Sequence, residues 1–134
     1  MADRDQNHTT PIGAAVDAAR AALSGVEPAS PVEALPLLRV AQSFVTRAID
    51  EAMAAVVLDQ GGSLRTAGAL AGLSENAVGP RLARTELLAA YGSETGRVTA
   101  AGVERARYDL EEGRHRAPDE AAPPPLRFRA RRNT

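Results

Sequence analysis

The chain has 134 residues, enough for one small domain with tails, and 44% of them are apolar but only 3% aromatic. A core of Ala, Leu and Val favours closely packed helices, and runs of β-branched residues that would mark strands are scarce. Cysteine is absent, which excludes disulfides, thiolate metal sites and Cys nucleophiles, and the formal net charge is −1.

That small net charge conceals an asymmetry. Residues 1–60 hold four Arg against eight acids, and residues 61–134 hold twelve Arg against nine acids. The basic residues are all Arg, the better bidentate ligand for phosphate and guanine. The second half is therefore where an acidic polymer would be met.

Residues 1–9 read as a disordered leader without an apolar signal core. No apolar run is long enough to span a bilayer, so the expected setting is cytoplasmic. Thr10 and Pro11 open a first helix as N-cap and N1, and Ile12, Val16, Ala19 and Leu23 form its apolar stripe. Ser30, Pro31 and Glu33 form a capping box that opens a long helix, to about Asp59, with Pro36 about a turn and a half inside it. Its expected inner stripe is Leu38, Ala41, Val45, Ala48, Ala52 and Val56, widened by Phe44, Ile49, Met53 and Val57. Arg39, Arg47, Asp50 and Glu51 are expected on its outer face, with Arg47 and Glu51 paired at i, i+4. This helix over 31–59 serves either as a scaffold or as the seam of a homodimer.

Gly61 and Gly62 stop that helix and Ser63 caps the next, Leu64 to Ala71. Gly68 stands where a second helix must cross at close range. Gly72 is the turn residue suited to positive φ, and Ser74 caps a following helix whose Val78 and Leu82 point inward. Two short helices joined by a Gly-Leu-Ser turn are the helix-turn-helix arrangement, in which the second helix enters the DNA major groove. Leu73-Ser-Glu-Asn-Ala-Val78 together with Arg81-Leu82-Ala-Arg84 resembles region 4 of sigma factors and related small bacterial regulators. The stretch from Ser63 to Ser74 is similar to helix-turn-helix segments of actinobacterial type. No sigma-type core-binding region lies upstream, so the resemblance implies a DNA-binding module and not a sigma factor.

Gly79 and Pro80 depart from that pattern, because a polar or basic pair usually sits there facing the DNA backbone. A mid-helix Pro costs roughly 3 kcal/mol when nothing compensates. The second helix is therefore expected either to kink or tighten at Gly79, or to be a short turn from Ser74 to Val78 followed by a new helix with Pro80 at N1. With Val78 and Leu82 inward, Asn76, Gly79, Pro80, Ala83 and Arg84 are expected outward. Ser74, Glu75 and Asn76 form the leading tip and are the candidate base readers: Asn pairs bidentately with adenine and Glu accepts from cytosine N4. Arg65, Thr66, Arg81 and Arg84 are the candidate phosphate ligands, joined by Arg97 if a wing forms.

The second helix is expected to run on through Glu86 to Tyr91, closing a helix-turn-helix over 63–91. Gly92 to Thr99 leave room for a minimal β-hairpin wing near 90–98, with strands at Ala90-Tyr91 and Arg97-Val98, or for a plain loop. Thr99 caps a last helix to about Glu112, with Val103, Ala106 and Leu110 inward. Gly113 ends a helical domain of residues 10–113. Residues 114–134 carry three consecutive prolines and six Arg against two acids, and read as a disordered tail. Within it Arg127, Arg129, Arg131 and Arg132 form a candidate basic arm for DNA.

The expected fold is thus all-α, four to five helices around a helix-turn-helix. His8 and His115 fall in segments read as disordered, and no phosphate-binding Gly-rich loop follows a strand, so no catalytic, metal or cofactor site and no small-molecule ligand is expected. The expected function is a small DNA-binding protein, a transcriptional regulator or nucleoid-associated factor, with double-stranded DNA as partner. The alternative is a protein-interaction or assembly adaptor that uses the helix-turn-helix as a packing unit.

Overall fold

Thr10 Oγ1 accepts from the Gly13 amide at 3.0 Å and starts the first helix where its sequence places a cap. The computed structural model describes residues 10–59 and 61–117. They form five α-helices, and no β-strand occurs among them. The helices are α1 (Pro11–Ser24), α2 (Pro31–Asp59), α3 (Leu64–Ala71), α4 (Glu75–Leu82) and α5 (Ala100–Glu111), with a 3₁₀ turn at Ala89–Tyr91 before α5. The leader 1–9 and the proposed arm residues Arg127, Arg129, Arg131 and Arg132 lie outside the described residues.

α2 is about 43 Å long at 1.5 Å per residue and runs through Pro36 without interruption. It serves two different neighbours. In its first half Ala34 and Ala41 are buried against α1, which contributes Ala15 and Ala19; small side chains on both helices allow close approach. In its second half Asp50, Glu51, Met53, Ala54, Val57 and Leu58 turn toward α3, α4 and α5. The single inner stripe expected from the sequence is therefore corrected. Of its six main positions only Ala41 is fully buried, and Leu38 and Val45 are exposed. One helix with two partners on different faces cannot be read as one periodic line. Asp50 and Glu51, expected on the outer face, are buried at 8% and 1% exposure. The turn before α2 is also closed differently from the expected Ser30–Glu33 box: Glu27 Oε1 accepts from the Ala29 amide at 3.2 Å and the Glu27 carbonyl from the Ser30 amide at 3.0 Å.

The main core gathers Met53, Ala54, Val57 and Leu58 of α2, Ala67 of α3, Val78 and Leu82 of α4, Leu88, Ala90, Tyr91, Val98, and Val103 and Ala106 of α5. The α3–α4 crossing matches its expectation closely. Ser63 Oγ accepts from the Thr66 amide at 3.0 Å, and Gly72 takes φ +73°. The Leu73 amide donates to the Gly68 carbonyl at 2.7 Å, a Schellman-type end that satisfies an otherwise orphaned carbonyl. A Cβ at Gly68 would stand 2.8 Å from Val78 Cγ2 and 2.9 Å from the Leu73 carbonyl oxygen, so only glycine allows this approach.

α4 ends at Leu82 and does not continue to Tyr91. The buried Thr85 stops it: Oγ1 donates to the Leu82 carbonyl at 2.7 Å and accepts from the Leu88 amide at 3.1 Å. The side chain competes with the helical ladder and starts a separate turn. Of the two alternatives for residues 90–98, the loop and not the wing forms. Ala89–Tyr91 is 3₁₀, and residues 93–97 form a loop closed by the Ser93 amide on the Arg97 carbonyl at 2.8 Å. The next amide, Val98, pairs with α4 itself, donating to the Gly79 carbonyl at 2.9 Å. Packing also extends past Gly113. The Arg116 amide donates to Tyr91 Oη at 2.9 Å, and the His115 ring lies 5.2 Å from the Tyr91 ring, so His115 belongs to the folded part.

Candidate nucleic-acid interface

The tip of α4 is open. Ser74, Glu75 and Asn76 are all exposed, and Arg65 and Thr66 of α3 and Arg84 after α4 are exposed on the same helix pair. Ser74 has the extended backbone of an N-cap, but its hydroxyl makes no capping bond, contrary to its expected role. Helix N-termini carry unpaired amides and a partial positive charge, which suit them to anionic groups. Glu75 works against that attraction. It lines a cleft of about 220 Å³ together with Ser63 and with Glu104 and Arg107 of α5, which pair with each other at 3.2 Å.

Gly79 and Pro80 sit inside one continuous α4, which is not split into two helices. The reason is tertiary. Pro80 has no N–H to give the Asn76 carbonyl four residues earlier, and Arg97 supplies the missing donor through a terminal guanidinium nitrogen at 3.3 Å. Gly79, expected outward, is buried beneath the Arg97–Val98 segment; a Cβ there would stand 3.0 Å from the Val98 carbonyl and 3.2 Å from Arg97 Nε. The dipeptide is thus the seat for the loop that returns to α5. It also holds Arg97 beside Asn76, with four further N–H donors of the guanidinium unspent on that bond.

The expected phosphate ligands divide in two. Arg65 and Arg84 are free to reach out, and Thr66 is exposed although its hydroxyl bonds to Ser63 Oγ at 2.9 Å. Arg81 is not free: its Nε donates to Asp50 Oδ1 of α2, and the side chains keep only 24% and 12% exposure. Its charge is cancelled inside the fold, which corrects its assignment as an outward ligand.

The buried Glu51 carboxylate has a structural use that sequence reading missed. Its Oε1 accepts from the Glu86 amide at 2.7 Å, and Oε2 has no hydrogen-bond partner. Arg47 accordingly pairs with Glu86, at 4.0 Å, and not with Glu51. Burial pushes the Glu51 pKa above its ordinary value of 4.5; the Glu86 amide opposes this, the Glu86 charge adds to it, Arg47 lowers it and Asp50 raises it. A raised folded-state pKa means that protonation favours the folded chain. The contribution is complete below the unfolded pKa and is lost as pH rises through the folded one. Urea melts between pH 8 and pH 5 should therefore show Glu51→Gln losing its advantage, or gaining a deficit, against the native chain as pH falls. A pH-independent difference between the two proteins would refute this role.

Among the described residues no group of three or more His, Cys, Asp or Glu side chains is placed to hold a metal ion. No described helix is long and apolar enough to cross a membrane. Comparison with family models, with curated proteins and with solved structures finds no match to this chain.

Proposed function

We propose that this protein binds double-stranded DNA by presenting the leading turn of α4 to the major groove, as a transcriptional regulator or nucleoid-associated factor. The observation that carries this reading is the tight α3–α4 crossing at Gly68 and Gly72, which leaves Ser74, Glu75 and Asn76 exposed at its tip with Arg97 held alongside. Proteins with this geometry read bases with the first residues of the second helix. In this reading Asn76 pairs with a base edge, while Arg65, Arg84 and Arg97 hold phosphates. Burial of Val78, Gly79 and Leu82 restricts readout to the first turn of α4, which implies a short recognition element per chain.

The experiment is selection from a random DNA library at two salt concentrations, followed by titration of the enriched and a scrambled duplex. Asn76→Ala is expected to weaken the enriched site by about 1–3 kcal/mol and to leave scrambled DNA almost untouched. Arg84→Ala is expected to weaken both alike and to reduce the salt slope by about one. Absence of binding at low salt would overturn the proposal. It would leave the second reading, a protein-interaction adaptor, which is favoured by the neutralised Arg81 and by the apolar face of α2.

A further inference from the structure

Leu35, Leu38, Gln42, Val45, Ile49, Ala52 and Val56 recur along α2 at alternating spacings of three and four. This is the a/d repeat with which helices supercoil around one another. The line lies outside the positions α2 buries against α1 and, in its N-terminal part, outside the main core: Leu35 is 66% exposed, Leu38 43%, Val45 45% and Ile49 37%. Its C-terminal end runs into an apolar cleft where Ile49, Ala52 and Val56 meet Leu70 of α3, itself 75% exposed.

We infer that α2 pairs in parallel with α2 of a second copy of this chain along that line. The exposed part of the line, Leu35 to Ile49, holds a period of 3.5 residues over two heptads, the repeat of a partner helix, while Val56 beyond it already packs against the core. The exposed side chains of the line, with Leu70, leave on the order of 500 Å² of apolar surface in water, near the upper limit for a monomer's largest patch. Joined across a two-fold axis with their polar rims, two such faces reach the roughly 1,200 Å² at which stable interfaces begin. Gln42 sets the direction. In parallel pairing each position meets its own copy, so the two Gln42 amides hydrogen-bond to each other. In the antiparallel register that matches the remaining layers, Leu35 meets Ala52, Leu38 meets Ile49 and Gln42 is set against Val45, unpaired. A single polar residue at an a position selects register and pairing in this way. The inference is independent of the DNA-binding proposal, since none of these residues lies on α4.

The absence of cysteine makes the test direct. Sedimentation equilibrium of the full chain is expected to return twice the chain mass, and oxidised Leu35→Cys a single cross-linked dimer. Val45→Glu is expected to raise the dissociation constant at least about a hundredfold, with the helical circular dichroism of the native chain retained. A native chain that stays monomeric at about 100 µM overturns the inference. So does Leu35→Cys that cross-links only when mixed with Ala52→Cys, which indicates antiparallel pairing. A shortened chain ending at residue 117 that dimerises where the full chain does not would overturn it too, because the tail and not a second copy then covers the face.

Discussion

Arg81→Ala is expected to lower folding stability by about 3–5 kcal/mol, far more than loss of a surface arginine. The guanidinium closes an ion pair with Asp50 from α2, and Asp50 is 8% exposed. Removing Arg81 leaves a carboxylate buried without its counter-charge, and the cost of that state exceeds the worth of the pair itself. Asp50→Ala in the Arg81→Ala background should therefore recover much of the loss. Urea denaturation of the four proteins in a double-mutant cycle measures this, with a coupling of at least about 1 kcal/mol expected. A loss of under about 0.5 kcal/mol for Arg81→Ala alone would show that water reaches Asp50 freely. The same variant separates structure from DNA contact. Under conditions where Arg81→Ala remains folded, its salt dependence of DNA binding should equal that of the native chain, while Arg84→Ala flattens it.

The α3–α4 pair was legible because everything that makes it is local. A Ser cap, a Gly at the crossing, a left-handed Gly in the turn and an inward Val78–Leu82 pair all fall within residues 63–82. The end of α4 was not legible, although Thr85 is the signal: a Thr after an apolar helical position can bond backward to the ladder and forward to a new turn. Pro80 reads as a helix breaker because a propensity rule counts the lost hydrogen bond but not a donor brought from residue 97 by a returning loop. Asp50 and Glu51 read as outward for the same reason, although both are buried. Charge reads as exposure unless a partner exists, and their partners come from 31 and 35 residues away. At the candidate interface, exposure of Ser74, Glu75 and Asn76 followed from the crossing, whereas the commitment of Arg81 depended on a face of α2 that its periodicity did not reveal.

Arg107→Ala is expected to cost about 2–4 kcal/mol, and it tests how the first half of the molecule is joined to the second. From α5, Arg107 Nε donates to the Val57 carbonyl at 2.7 Å and a terminal nitrogen donates to the Gly62 carbonyl at 2.8 Å. The carbonyls of the last turn of α2 have no intrahelical partners, and the helix end carries partial negative charge. A guanidinium supplies both a planar fork of donors and the matching charge, so one side chain fastens the end of α2, the start of the α3 segment and α5 together. The remaining contact, to Glu104 at 3.2 Å, is exposed on the acid's side and contributes little. Arg107→Lys should lose about half as much, since an ammonium cannot span both carbonyls with fixed geometry. Hydrogen exchange gives a second readout. The Gly62 amide, bonded to the Val56 carbonyl at 3.1 Å, should exchange faster in Arg107→Ala even after correction for global stability. Equal stability of the Lys variant and the native chain would mean that the second carbonyl adds nothing. A loss below about 0.5 kcal/mol would mean that α5 is held by its apolar packing through Val103 and Ala106 and by the Tyr91–Asp109 bond.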